Sequence, residues 1–223
     1  MAKQTFLNLP EDRQKSFLDR AFREFTLNSY DDASISTILK DLGMAKGSFY
    51  QYFENKRALF DYLTKQVFET KYQYIMAVKR EEYDSFWKYS RAMYEHGLGF
   101  DRDHPLMSNF SYCLNENMDS PTVRETFLKW QKGGFETIKT MVKAEIDAGN
   151  FRDDIPLESA AMFFMNMGRQ IIDQLRMTNL NDFKERIEAG RPILADGNED
   201  LLFNIVDQNF KLLSAALDKK QML

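Results

Sequence analysis

An all-α fold is what this sequence predicts: a three-helix N-terminal unit built on a helix-turn-helix, residues 1–56, then a C-terminal helical bundle, residues 57–223. Three observations carry that reading. Across 223 residues there are 10 Gly and 5 Pro, and the abundant Leu, Lys, Glu, Met and Phe suit helices. No alternating apolar and polar run lies between turn pairs, as a strand would require. The stretch SISTILKDLGMAKGSFYQYFENKR, residues 34–57, has two short apolar-periodic segments joined by a glycine, followed at once by the start of a third.

Taken in order, Pro10 suits a first helical turn, and Glu11 and Asp12 complement its positive end. Phe17, Leu18, Ala21, Phe22 and Phe25 then form an apolar stripe. Arg13, Lys15, Arg20 and Arg23 on this helix read as solvated charge, within reach of flanking phosphates if a nucleic acid is bound. At Asn28-Ser29 a turn is expected, since Asn tolerates the left-handed conformation. Ser34 caps the next helix, whose face is Ile35, Ile38, Leu39 and Leu42, and Gly43 stops it.

In the following helix Phe49 and Phe53 share a face, while Lys46, Ser48, Tyr50, Gln51 and Tyr52 point elsewhere. Four rings in five residues circle a helix of about 3.6 residues per turn, so at least one must face out. A cation, hydroxyls, an amide, flat rings and a glycine, Gly47, that admits a close backbone are chemistry for phosphate oxygens and base edges. Asn55 caps a further helix. Lys56 and Arg57 in its first turn oppose the helix dipole, and a nearby phosphate would give them a purpose.

That helix runs through Leu59, Phe60, Leu63, Val67 and Phe68 towards Ile75 or Val78 with no breaker, a rod of about 30 Å at about 1.5 Å per residue. A segment from Asp84 to Gly97 follows. Residues 96–105, HGLGFDRDHP, read as a loop by their glycines and proline. Helices are expected over 105–117, from Pro121 to a stop at Gly149, over 158–177 and over 201–217; residues 179–200 read as a loop with one short helix. The 158–177 segment is apolar on more than one side and must be buried on more than one side.

Charge and composition exclude several classes. The net charge is −4, but residues 1–57 hold nine Lys or Arg against eight Asp or Glu, which is +1, and the remainder carries −5. Nucleic-acid binding would use a small defined face, with the acidic remainder discouraging loose coating. Two His, one Cys and no phosphate-cradling glycine run give no catalytic constellation, so no enzyme and no cofactor are expected. His96, His104, Asp101 and Asp103 lack ligand spacing, so no metal site is expected. Cys113 reads as a small buried hydrophobe. With no membrane-length apolar run and no leader segment, a cytoplasmic location is expected.

Residues 17–63, densest in Gly43-Met44-Ala45-Lys46-Gly47-Ser48-Phe49-Tyr50-Gln51-Tyr52-Phe53 with Lys56 and Leu59, resemble the DNA-binding domain of the TetR family of bacterial transcriptional regulators. Three departures from the family pattern stand out: Ala45 where many members have Ser or Thr, Leu39 and Leu42 where alanines are frequent, and Asn28-Ser29 in place of a glycine. Transfer of a relative's operator sequence is therefore unsafe.

The resemblance implies a ligand-responsive regulator, a repressor by the family's usual mode, that binds a palindromic site in double-stranded DNA as a homodimer. It implies that Lys46, Tyr50 and Lys56 hold phosphates with help from Ser36 and Thr37, that Gly47 allows close approach, and that Ser48, Gln51 and Tyr52 approach bases. Gln51 is the best candidate for base choice, since its amide both donates to and accepts from adenine.

The resemblance also implies a small-molecule effector in the bundle. Phe86, Trp87, Met93, Tyr94, Phe110, Phe127, Trp130, Phe163, Phe164 and Met167 are suitable lining for an apolar or aromatic compound and equally suitable core; Arg91 and Arg169 would orient an anion. In the family the last two helices form the dimer interface, which would here comprise Ala161, Gly168, Ile172, Leu202, Ile205, Val206 and Leu213. The competing reading is a helical dimer that acts through protein–protein contacts without binding DNA.

Overall fold

The computed structural model describes residues 1–178 and 180–219, without the side chains of residues 180–182. The fold is all-α. Helices α1 (Gln4–Leu7), α2 (Glu11–Leu27), α3 (Ile35–Asp41) and α4 (Lys46–Tyr52) form the head, and α5 (Lys56–Met76) leads into the body. There α6 (Phe86–Asp103), α7 (Pro105–Glu116), α8 (Pro121–Asp147), α9 (Leu157–Thr178), α10 (Leu180–Ala189) and α11 (Glu199–Leu217) follow.

Local chemistry sets most boundaries. The Ser34 hydroxyl accepts from the Thr37 amide at 3.3 Å, and the Asn55 side chain accepts from the Ala58 amide at 2.8 Å. Each satisfies a donor that a helix start leaves unpaired. Gly43 has φ of 64° and Gly149 of 76°, the left-handed conformation that ends a helix at least cost with glycine. Pro105 and Pro121 each sit in a first turn.

Two expectations are corrected. Residues 96–103 are the end of α6, not a loop. Leu98 and Phe100 are buried there, and the Tyr74 ring packs where a Cβ on Gly99 would stand, at 3.3 Å. The glycine admits a neighbouring ring, and its helix cost of about 1 kcal/mol is outweighed by that burial. Asn28 is extended rather than left-handed; the turn is held by buried Glu24, whose carboxylate accepts from the Ser34 amide at 2.9 Å. Helix α1 had no sequence expectation at all.

Two apolar clusters organise the chain. One gathers Phe6, Phe17, Phe49 and Phe53 of the head with Phe60 and Leu63 of α5, and continues into Phe100, Phe110 and Val123 of the body. The other joins α6, α8, α9 and α11 around Phe86, Phe164, Ile171, Val206 and Phe210. Helix α2 lies against α7, so head and body meet through side chains as well as through α5. The loop before α11 is fastened by buried Asp101, which accepts from the Leu194 and Ala195 amides at 2.9 and 2.8 Å and from the Ser108 hydroxyl at 2.6 Å. Asp101 is thus a backbone anchor, which removes it from any group with His96 and His104.

The expected dimer residues are also corrected. Ala161, Leu202, Ile205, Val206 and Leu213 are all buried inside the chain's own core, because α9 and α11 pack those faces on each other and on α6. Gly168 and Ile172 line a cavity instead. The outward apolar side chains on these helices are Met162, Phe163, Met177 and Leu212.

Candidate nucleic-acid interface and cavity

The head sorts its residues by helical phase. Phe49 and Phe53 turn inward, where the Phe53 ring stacks on Phe17 at 5.8 Å, and both are essentially inaccessible. Lys46, Gly47, Tyr50 and Gln51 are therefore left on the outer surface of α4, with Tyr50 63% exposed. A Cβ added at Gly47 would meet nothing within 4 Å, so the head's own packing does not demand glycine there. Ser36 on α3 is exposed, and Ser48 and Thr37 are half-buried.

Two members of the expected set are differently engaged. Tyr52 turns to the inside edge, its ring edge-on to Phe6 at 5.7 Å and to Phe17 at 5.9 Å, which corrects its expected approach to bases. At two residues from Tyr50 it lies about 200° round the helix. The Lys56 ammonium donates to the Asp31 and Ala33 carbonyls at 3.1 and 3.2 Å and sits 4.8 Å from the Tyr30 ring centre. It ties α5 to the turn before α3. Of the flanking cations, Arg20 pairs with Asp41 at 2.5 Å and Glu24 at 3.3 Å, Lys15 pairs with Asp19, and Arg23 turns towards Gly190 of the body.

Helix α1 is what sequence reading missed. Its Lys3 amide donates to the Tyr52 carbonyl at 2.8 Å, the Lys3 ammonium to the Tyr50 carbonyl at 2.7 Å, and the Thr5 hydroxyl to the Gln51 carbonyl. Three carbonyls at the end of α4 thus receive donors that the helix cannot supply itself. Phe6 anchors the arrangement, fully buried against Phe17, Tyr52, Phe53 and Tyr62. The one legible signal was Phe6 followed by Leu7 and Leu9 ahead of Pro10.

In the body, α5, α7, α8, α9 and α10, with the end of α2 at Thr26 and Leu27, line a half-open cavity of about 1610 Å³, above the range of about 300–1,000 Å³ usual for small-molecule sites. Phe127 and Trp130 line it, with the Phe68 ring stacked on Trp130 at 5.1 Å. Other expected lining residues are elsewhere. Phe86, Trp87 and Phe164 form an aromatic core cluster with Phe151 and Phe210, in which Met93, Tyr94 and Met167 also pack. Phe110 joins head to body, and Phe163 is 69% exposed on the outside of α9. A helix apolar on several sides does not disclose which side faces which neighbour.

Polar side chains from α5, α7 and α9 also line the cavity, among them Lys71, Tyr112, Asn115, Asn166 and Arg169. Burial pushes the Lys71 ammonium down from its ordinary value, against the opposing pull of Asp101. Burial, reinforced by Asp101, pushes the Tyr112 phenol well up. The Cys113 thiol, also in the wall, is raised to about 11 by burial and stays protonated. Arg91 is absent from the lining: it pairs with Asp207 and Glu95 and covers the Phe203 ring at 4.4 Å. No group of three His, Cys, Asp or Glu converges, and no helix is long and apolar enough to cross a membrane, among the described residues.

Comparison with known proteins matches residues 17–63 to the domain described as bacterial regulatory proteins, tetR family. An uncharacterised helix-turn-helix transcriptional regulator of Bacillus subtilis (strain 168), YhgD, is 24% identical over 145 residues, 62% of this chain and 71% of that protein. A crystal structure of a TetR-family transcriptional regulator from Chloroflexus aurantiacus J-10-FL superposes with a TM-score of 0.73 at 26% identity, covering 99% of this chain and 100% of that one. SmeT, solved as a complex with triclosan, shares the fold, with a TM-score of 0.68 at 14% identity over 94% of this chain and 93% of its own.

Proposed function

The chain is a TetR-family transcriptional regulator, and from that premise we propose that it represses transcription as a homodimer on a palindromic operator and is released by a small apolar or aromatic effector. The observation that carries the DNA reading is the outer surface of α4. Lys46, Gly47, Tyr50 and Gln51 stand free of the head's core, and space lies open above Gly47. Lys46 and Tyr50, with Ser36 and Thr37 of α3, are assigned to phosphates, and Gln51 to a base edge in the major groove.

Two heads are required for a palindrome. We assign the dimer contact to the outward faces of α9 and α11, where Met162, Phe163 and Leu212 are exposed although apolar. The effector is assigned to the cavity, and α7 couples the two. One side of α7, through Ser111, Tyr112 and Cys113, lines the cavity, while Phe110 on its other side packs on the head. An effector that prefers a shifted α7 by about 1–3 kcal/mol changes head spacing and operator affinity together. SmeT, which has this fold, is known with triclosan bound, an aromatic compound.

The test is selection of bound sequences from a random duplex pool at near-physiological salt, with protein unfolded and refolded to strip any carried ligand. A two-fold motif is the expected result. Absence of enrichment from the stripped protein would overturn the DNA-binding reading.

A further inference from the structure

Charge in the cavity wall is balanced at every acid and unbalanced at one lysine. Among the described residues, Glu116 pairs with Arg176, Asp173 with Arg169 at 3.7 Å, Glu188 with Lys184 at 4.0 Å, and Glu69 with Lys65 at 3.7 Å. Among the described residues Lys71 has no carboxylate within ion-pair distance; its ammonium lies 5.8 Å from the Tyr112 ring centre. Asp101, the acid that acts on it across the protein, already has both carboxylate oxygens occupied by the Ser108 hydroxyl and the Leu194 and Ala195 amides.

An unpaired cation in a partly dehydrated cavity is costly, and a bound anion would remove that cost. Beside it the stacked Phe68 and Trp130 rings and Phe127 offer a flat apolar wall. Resting on the proposed effector cavity, we infer that the effector is an organic anion with an apolar, aromatic-sized body, and that Lys71 is the residue that binds its anionic group.

The experiment uses two probes of one shape: 8-anilino-1-naphthalenesulfonate, an anion, and N-phenyl-1-naphthylamine, the same body without charge. Both are titrated by fluorescence into the full chain, its Lys71→Met and Lys71→Arg variants, and Gly134→Trp. Gly134 lines the cavity and a Cβ there meets nothing within 4 Å, so the tryptophan fills space without a clash at its root. The expected result is that Lys71→Met weakens the anionic probe by about tenfold or more, the scale of one hydrogen bond to a charged group. The neutral probe should change by less than about twofold on the same grounds, Lys71→Arg should keep the preference for the anion, and Gly134→Trp should weaken both. Equal behaviour of the two probes, or an anion affinity indifferent to Lys71→Met, overturns the anion assignment and leaves the cavity reading standing. Indifference of both probes to Gly134→Trp overturns the cavity reading itself.

Discussion

The Phe22 ring of α2 meets the Phe110 ring of α7 edge to face at 5.4 Å, and Phe110 in turn meets Phe60 of α5 at 5.6 Å. One side chain of the body is therefore held between two helices that carry the head. Phe110 is 1% exposed, so the contact is a packed joint rather than a surface touch, and packed joints transmit displacement because they resist compression.

Phe110→Ala should accordingly lower unfolding free energy by about 3–5 kcal/mol, the usual cost of removing a buried phenylalanine. Urea unfolding followed by tryptophan fluorescence reports the body, since both tryptophans, Trp87 and Trp130, lie there. The variant should separate that transition from the loss of far-ultraviolet helix signal. Coincident transitions at unchanged midpoint would sink the idea of a joint.

At the other end of the head, Phe6→Ala should loosen the cap that α1 sets on α4. The expected sign is faster hydrogen exchange at the α4 amides together with weaker operator binding and an unaltered selected sequence. Exchange in α4 matching the parent protein would remove α1 from any role in positioning the recognition surface.

Gln51→Ala and Lys46→Met should fail in different ways. The first should relax base preference at one position of each half-site, by about 1–3 kcal/mol of discrimination. The second should weaken all sequences alike and reduce the log–log salt slope by about 0.9. A uniform loss from Gln51→Ala would make it a backbone contact.

Stability towards acid should report the Glu145 carboxylate. Arg80 binds it through two hydrogen bonds of 2.6 and 3.0 Å, and Asn150 adds one at 2.8 Å. Burial alone would raise this carboxyl, but the hydrogen bonds from Arg80 and Asn150 together outweigh it, and the value lies below its ordinary 4.5. A group depressed in the folded state contributes stability above its unfolded value and loses it as pH falls through the folded one. Unfolding free energy should thus decline below pH 4.5. Arg80→Met should cost about 1–3 kcal/mol at neutral pH, since it strands a buried acceptor. It should also weaken or reverse the slope, because the carboxyl, left with Asn150 but no cation, would then be raised by burial. Chemical denaturation across pH 3–7 measures both.

Leu212→Glu should leave the fold intact and shift the protein towards monomer in sedimentation, since Leu212 is 72% exposed on the proposed dimer face. Operator affinity should fall with it. A variant as dimeric as the parent would move the interface off α9 and α11.

By itself the sequence determined most of the helices and the helix-turn-helix of the head. Capping at Ser34 and Asn55, stops at Gly43 and Gly149, and the inward pair Phe49 and Phe53 depend on neighbours three or four residues away, and such interactions are complete within a single segment. Residues 96–103 failed as a loop because Gly99 is explained by a ring, Tyr74, twenty-five residues distant in the chain. Lys71 carried a signal that could have been read, standing in line with Leu59, Leu63 and Val67 at successive steps of four on α5. A lysine on an apolar stripe asks for an explanation.

Only the tertiary structure decided how the many apolar faces of α9 were shared out: Ala161 and Ile171 to the core, Gly168 and Ile172 to the cavity, Phe163 to the outside. Transfer free energy alone would bury Phe163 first and Gly168 last, the opposite of part of this sharing, so hydrophobicity does not rank the faces. Their assignment follows from which distant helix arrives at each face, and that is set by packing volume across the whole bundle.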